Sequence, residues 1–194
     1  MPSYRAPGAE ARGEIRDRGS VFLAVIAPAA DEAAAKAFLA RLQKELPDAT
    51  HHCWAWRLGE PPRERGADAG EPAGTAGVPI LQVLRGAGLS DAMAVVARWF
   101  GGTRLGKGGL ARAYAGAVRE ALQGLPVVTR ATTARVAVEI PYEKVGAVKR
   151  LLRPPEIELA EETYGAAARL VLAVHQEREG ALREALAELG VAPL

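Results

Sequence analysis

The sequence predicts a mixed α/β protein of the α+β class, organised in two domains. Continuous apolar runs at 20–27 and 93–97 are typical of buried strands. Residues 32–46 carry apolar side chains on one helical face, so a sheet should pack against helices. In the C-terminal third, the composition changes from a glycine-rich stretch to repeated strand–helix units. We therefore expect one domain over residues 1–124 and a second over residues 127–194.

Composition sets the broad class of the protein. Hydrophobic residues make up 49% of the chain and aromatic residues only 5%, so Ala, Leu and Val must fill the interior. No apolar run approaches the roughly 20 residues of a membrane helix, and the first residues lack the apolar core of a signal peptide. Cys53 is the only cysteine, which fits a reducing compartment. We expect a cytoplasmic protein with no membrane partner.

Charge is distributed unevenly along the chain. The net charge of +2 is weak evidence for a nucleic-acid partner by itself. Up to residue 125, however, 16 Lys or Arg residues stand against 13 Asp or Glu, whereas the remainder has 9 against 10. A positive surface is therefore expected on the first domain.

Strands and helices should alternate in the first domain. Asp31 is a suitable N-cap for one helix and Thr75 for the next, with Pro79 near the first turn of the latter. The predicted order is an edge strand or arm over 13–19, a strand over 20–27, a helix over 32–46, a strand around 53–56, a loop over 60–74, a helix ending near 86, a strand over 93–97 and a helix over 110–122.

The stretch RWFGGTRLGKGGLARAY, residues 98–114, is the main candidate for a functional site. It joins a predicted strand to a predicted helix through a glycine-rich loop, where free N–H groups and the helix dipole favour an anion. No acidic residue lies between Asp91 and Glu120. The residues expected to form one anion- or partner-binding surface are Arg98, Gly101, Gly102, Arg104, Lys107, Gly108, Gly109 and Arg112. The alternative is a glycine-rich turn that only packs a helix against a sheet.

This stretch nearly matches the phosphate loop of nucleotide hydrolases. Residues 101–107 fit G-x-x-x-x-G-K, but Gly108 stands where a Ser or Thr would hold magnesium. Nucleotide hydrolysis is therefore disfavoured.

Two other groups of residues are candidates for chemical sites. His51, His52 and Cys53 are adjacent in a predicted strand, so their side chains alternate between faces and cannot all converge on zinc. A possible accessory loop contains Asp68, Glu71 and Thr75; its acids are either an acid–base pair, metal ligands or part of a solvated loop. No catalytic residue is assigned, and we expect no metal and no cofactor.

The second domain contains an internal repeat of 34 residues. Residues 134–136 align with 168–170, and Leu152 aligns with Leu186. Each unit begins with a strand, and two strand–helix–strand units give the ferredoxin-like βαββαβ arrangement. The expected strands cover 127–140, 156–164 and 168–176, the helices cover 143–152 and 179–189, and a short final strand begins at Val191.

Three motifs together resemble the IMPACT/YigZ family: ATHHCWAWRLG, DAGEPAGTAGVPIL and RWFGGTRLGKGGLARAY, within residues 15–123. The resemblance implies a bacterial two-domain member. Its N-terminal domain would be a two-layer structure with a left-handed βαβ crossover, similar to a small-subunit ribosomal protein domain and the fourth domain of elongation factor G. Its second domain would be ferredoxin-like, similar to the fifth domain of that factor.

The resemblance also carries functional expectations. Eukaryotic members are described as regulators of translational control that compete for the activator of the kinase responding to uncharged tRNA. For bacterial members, nucleic-acid or ribosome binding has been suggested.

Four positions depart from the family pattern. Asp68-Ala69 stands where members usually carry two adjacent acids, and Ala73 where a small hydroxyl is usual, which weakens the case for a metal or acid–base role. Lys107 occupies a position where a small residue is common, so the near-match to a phosphate loop is incidental. Arg104 replaces the usual Lys and keeps the charge.

Three functional hypotheses follow. The favoured one is a non-enzymatic, translation-linked regulatory factor that binds RNA, the ribosome or a ribosome-associated protein through the basic glycine-rich loop. The second is a hydrolase acting on a phosphate-containing small molecule, with Asp68 and Glu71 facing that loop. The third is a pure protein-interaction module.

Overall fold

The computed structural model describes residues 3–194 and divides them into two compact units, Tyr4–Arg130 and Ala131–Leu194. We call these the first and second units.

The first unit alternates strands and helices, as expected. Its elements in chain order are β1 (Ser3–Pro7), β2 (Ala11–Asp17), β3 (Ser20–Pro28), α1 (Glu32–Glu45), β4 (His51–Leu58), β5 (Arg63–Ala67), α2 (Gly77–Gly86), β6 (Ala92–Trp99), α3 (Gly106–Gln123) and β7 (Val127–Ala131). Strand β5 lies within the stretch 60–74 that the sequence predicts as a loop, and β1 pairs with β7 in a small separate sheet.

A five-stranded sheet in the order β2-β3-β6-β4-β5 forms the centre of the first unit. Every neighbouring pair is antiparallel; Val25, for example, lies opposite Val95, and Cys53 opposite Val96. Because β3 and β4 are both antiparallel to β6, they run in the same direction, and α1 is the crossover that connects them. This confirms the α+β class.

Helices cover both faces of the sheet. Helices α2 and α3 pack on one face, where Phe22, Ile26 and Val96 are buried. Helix α1 packs on the other face against Val25 and Val95. The unit therefore has three layers rather than the two that the resemblance implies. The number of layers is hard to predict because central strands buried on both faces are continuously apolar and show no alternation.

The starts of the three helices show where local sequence signals predict the helix N-terminus and where they do not. The Asp31 carboxylate accepts the Ala34 N–H at 2.7 Å, as predicted for the N-cap of α1. Thr75, by contrast, does not cap α2: its hydroxyl donates to the Pro72 carbonyl at 2.6 Å. Helix α3 begins at Gly106, four residues before the predicted start, and therefore includes Gly108 and Gly109 of the candidate loop, whereas Gly101 and Gly102 precede it.

The second unit contains β8 (Thr133–Ile140), α4 (Tyr142–Lys149), β9 (Ile157–Tyr164), β10 (Ala168–His175) and α5 (Glu179–Glu188). The predicted strand over 127–140 is thus two strands, β7 and β8. The sheet order is β8-β10-β9, with antiparallel neighbours. The expected final strand is reduced to a bridge from Pro193 to Val138 on the free edge of β8. Strands one and three are therefore central, as in a ferredoxin-like domain, and Val148, Leu182 and Leu186 cover one face.

Within the described residues, none of the helices combines the length and the apolar character needed to cross a bilayer.

Candidate functional site

A cleft of about 310 Å³ lies where the end of β6 meets the start of α3. Three segments line it: Glu71 with Pro72, Arg98 with Phe100, and residues 104–107 with Leu110. We call it the basic cleft. The sequence elements predicted to form the site and its accessory loop therefore do come together.

The first turn of α3 forms one wall of the basic cleft. Its N-cap, Leu105, has no side-chain hydrogen bond to offer, and no acidic residue lies in the turn. The first N–H groups of a helix have no partner within the helix, and the helix dipole adds partial positive charge at this end. The turn Gly106–Gly109 therefore presents backbone donors suited to an anion.

Three basic side chains surround this turn. Arg104, Lys107 and Arg112 are exposed. None of them is in an ion pair with any residue of the described range 3–194. Arg104 and Lys107 line the basic cleft, and the Arg112 guanidinium lies next to Gly108. The structure thus gathers three of the four predicted basic residues with their charges available.

Arg98, the fourth predicted basic residue, is placed differently. It is 5% exposed and turns inward under the basic cleft. Its Nη1 donates to Glu71 Oε1 at 2.5 Å and its Nη2 to Ser20 Oγ at 3.4 Å. Arg98 lies on the same face of β6 as Val96, which faces α2 and α3. The charge expected to be available to an anion is therefore already paired with Glu71.

The Glu71 carboxylate is the centre of a buried polar network. Its Oε1 also accepts from the Tyr114 hydroxyl at 2.7 Å, and the Cys53 thiol lies 3.3 Å from that hydroxyl. Burial raises the pKa of Tyr114 above its usual range and raises the pKa of Cys53 to about 12. Both groups are therefore neutral at physiological pH, and the network joins α3 to β4 and β6.

The Asp68 carboxylate stabilises the start of α2. It accepts from the N–H groups of Gly74, Ala76 and Gly77 at 2.8, 2.9 and 2.8 Å. Burial acts to raise the pKa of Asp68, but the bonds from Gly74, Gly77 and Ala76 outweigh it, and the pKa is lowered. Asp68 thus supplies the cap that the sequence assigns to Thr75, and it does not line the basic cleft.

At Gly101 and Gly102, the local backbone structure favours glycine independently of any ligand. A Cβ at Gly101 would lie 1.9 Å from the Gly19 carbonyl carbon, so the two backbones could not approach. Gly102 has a φ of +87°, a conformation that side chains disfavour. At these two positions the packing alternative accounts for the glycine.

Phe100 is a cleft residue that the sequence reasoning missed. It is 48% exposed, and the Arg98 guanidinium carbon lies 5.5 Å from its ring centroid. Its N–H donates to Thr50 Oγ1 at 3.1 Å, which fixes the backbone. A single aromatic residue before two glycines has no periodicity to mark it; only its position beside a basic loop could have identified it.

An antiparallel α/β unit with a basic cleft, followed by a ferredoxin-like unit, defines the class of protein. The chain belongs to the IMPACT family. The Impact N-terminal domain matches residues 18–122, and the domain of unknown function DUF1949 matches residues 138–190.

Relatives resemble the chain over most of its length. An IMPACT family member from Thermus thermophilus is 46% identical over 145 residues, covering 75% of this chain and 78% of that protein. The IMPACT family member YigZ of Escherichia coli is 36% identical over 169 residues, covering 86% and 83%. A crystal structure of a hypothetical protein matches with a TM-score of 0.82 and 32% identity, covering 100% of this chain and 97% of the other.

Proposed function

We propose that this protein is a non-enzymatic, translation-linked regulatory factor that binds RNA of the translation apparatus through the basic cleft. The link to translation rests on membership of the IMPACT family. The choice of RNA rests on one observation: Arg104, Lys107 and Arg112, without ion pairs in the described part of the chain, surround the uncapped first turn of α3.

Several arginines elsewhere in the first unit are in ion pairs. Arg57 and Arg85 both pair with Glu64, and Arg41 pairs with Glu45. Like charges close together repel unless an opposite charge is supplied. Three clustered cations beside free N–H groups therefore favour a polyanion from outside the chain, and a phosphate backbone supplies it.

The acids near the cleft support a binding role over catalysis. The Asp68 carboxylate is bonded to three backbone N–H groups, and Glu71 Oε1 accepts from Arg98 and Tyr114. A general base needs a free lone pair within reach of the reacting group. Asp68 has no position in the cleft from which to act, so the hydrolase hypothesis loses its acid–base pair.

Salt dependence of RNA binding tests the proposal. Fluorescence anisotropy would measure the affinity of the full-length chain for a labelled single-stranded oligouridylate across a salt series. Each phosphate contact contributes about 0.7 to the slope of log K against log salt. The double variant Arg104→Ala/Lys107→Ala should therefore flatten the slope by roughly 1.4 and weaken binding without unfolding the protein.

A matched control separates a specific cleft from general charge. Lys36 and Arg65 are exposed residues of the same unit, lie outside the cleft and are in no ion pair with any residue of the described range. Lys36→Ala/Arg65→Ala removes the same charge and should leave the slope nearly unchanged. An equal loss in both double variants would contradict a cleft-based site. Absence of RNA binding by the wild-type chain would instead favour a protein-interaction module.

A further inference from the structure

The exposed ring of Phe100 is the part of the basic cleft that phosphate binding does not explain. An apolar ring contributes nothing to neutralising phosphates, yet it lies 48% exposed in a cleft that Arg98, Arg104 and Lys107 also line. Exposed aromatic rings beside cations are the arrangement by which proteins stack unpaired nucleic-acid bases.

The ring is held in place from below. The Arg98 guanidinium lies 5.5 Å from the Phe100 centroid, and Arg98 is itself fixed by Glu71 and Ser20. Arg98 Nε is buried and has no hydrogen-bond partner within residues 3–194, although its side chain lines the cleft. A buried guanidinium under one side of the ring leaves the other side for a ligand and favours electron-rich groups above it.

The size of the cleft suits one nucleotide. Phe100 and the α3 turn line the same space of about 310 Å³, at the lower end of the range for small-ligand sites of roughly 300–1,000 Å³. Arg104 lies in the segment that joins Phe100 to the start of α3, and Lys107 lies in the first turn of that helix. A base on the ring would therefore place its own phosphate near the N–H groups of Gly106 and Lys107.

We infer that the basic cleft is a stacking site for one unpaired RNA base, which lies on Phe100 while the adjoining phosphate binds the first turn of α3 beside Arg104 and Lys107. The inference rests on the proposed function and deepens it, because it commits to single-stranded RNA. A base inside a duplex is stacked on both faces by its neighbours, so the interior of duplex RNA is excluded from the ring.

Substitutions at Phe100 test the stacking directly. Base–aromatic stacking is lost on alanine substitution with a weakening of about 5- to 150-fold per base. Phe100→Ala should show this loss for the oligouridylate, with an unchanged salt slope because no phosphate contact is removed. Phe100→Leu, which keeps an apolar side chain, should behave like Phe100→Ala. Phe100→Trp should retain binding. Val78→Ala is the control, since Val78 is 52% exposed outside the cleft.

Changing the nucleic acid instead of the protein gives a second, independent test of the stacking. An oligouridylate with abasic residues should bind the wild-type chain about as weakly as the intact oligonucleotide binds Phe100→Ala. Duplex RNA of the same length should not distinguish wild type from Phe100→Ala. Unchanged affinity in Phe100→Ala and for the abasic oligonucleotide, with the Arg104→Ala/Lys107→Ala effect present, would overturn stacking and leave the proposed function standing. If the wild-type chain shows no salt-dependent RNA binding, both the stacking inference and the proposed function are contradicted.

Discussion

Arg98 Nη1 lies 2.5 Å from Glu71 Oε1, and the two side chains are only 6% and 4% exposed. This ion pair joins the end of β6 to the loop before α2, so it holds together two of the segments that line the basic cleft. Removing only one partner of such a pair is costly, because the remaining charge stays buried, desolvated and without a partner.

Glu71→Gln should lower the free energy of unfolding by about 3–5 kcal/mol, since it leaves the Arg98 charge unpaired. The double variant Arg98→Met/Glu71→Gln removes both charges and should be more stable than Glu71→Gln or Arg98→Met alone. Urea unfolding of wild type, the two single variants and the double variant gives the coupling free energy between Arg98 and Glu71. Single variants within 1 kcal/mol of wild type would show that the pair is not closed in solution.

The position of Arg98 also shows what the sequence could and could not predict. The strand ending near Arg98 and the helix after it were predicted from apolar runs and a helical face, because both signals are local. Which way the last basic residue of the strand points depends on β6 being central and on α3 covering that face. Both are tertiary properties that no window of sequence contains.

Other differences have similar physical reasons. Strand β5 has the sequence RERGA, without the alternation of a half-buried strand, and forms through backbone pairing with β4 at the edge of the sheet. Helix α3 starts within glycines, which disfavour helix when considered alone. Packing overrides this preference, as Gly109 is buried with Leu105 nearby.

Asp68 should make stability depend on acid pH. Its pKa is lowered in the folded state, so its contribution is fully present above the unfolded pKa of about 3.9 and is lost as the pH falls through the folded value. Asp68→Asn should therefore flatten the decline in unfolding free energy below about pH 4. Denaturant titrations at several acid pH values measure this pH dependence. If the unfolding free energy of Asp68→Asn falls with pH as steeply as that of wild type, Asp68 does not contribute to the acid dependence.

At neutral pH, Asp68 can be compared with Asp31. Asp68 accepts three backbone N–H groups, whereas Asp31 accepts that of Ala34. Losing a cap usually lowers the unfolding free energy by about 0.5–2 kcal/mol. The loss for Asp68→Ala should be at the upper end of this range and larger than the loss for Asp31→Ala. The reverse order in urea unfolding would show that the bonds of Asp68 are weak.

Cys53 should be inert in the native protein. Its thiol is buried, donates to the Asp68 carbonyl at 2.8 Å, and has its pKa raised to about 12 by burial. The thiolate is the reactive form, so iodoacetamide at pH 8 should modify Cys53 only after unfolding. Mass spectrometry with and without urea provides the measurement. Rapid modification of the folded chain would point to a reactive cysteine instead.

We predict that residues 127–194 fold without the rest of the chain. The second unit has its own core, centred on Val138, Leu170 and Leu186. In the structure, β7 pairs with β1 and Arg130 contacts Asp91, so the first residues of this fragment should be unstructured in isolation. Dispersed amide resonances and one cooperative transition are expected. A fragment with collapsed resonances throughout would contradict an independent domain.

Gly108 should behave oppositely to Gly101. A Cβ at Gly101 meets the backbone of Gly19 and Ser20 at 1.9–2.3 Å, so Gly101→Ala should destabilise the protein by about 1–3 kcal/mol or more. A Cβ at Gly108 meets only Arg112 Nη1 at 3.5 Å. Since glycine within a helix costs about 0.5–1 kcal/mol relative to alanine, Gly108→Ala should stabilise the protein.

Under the proposed function, the same substitution at Gly108 should weaken RNA binding. A methyl group in the first turn of α3 would hinder an anion approaching the free N–H groups, so Gly108→Ala should weaken oligouridylate binding by about fivefold, equivalent to one hydrogen bond. Gly146 is the matched control, because it lies in α4 with Arg150 Nη1 at 3.9 Å from a Cβ position. Gly146→Ala should stabilise the protein similarly and leave binding unchanged. If Gly108→Ala gains stability and binds as tightly as wild type, the first turn of α3 does not contact the RNA.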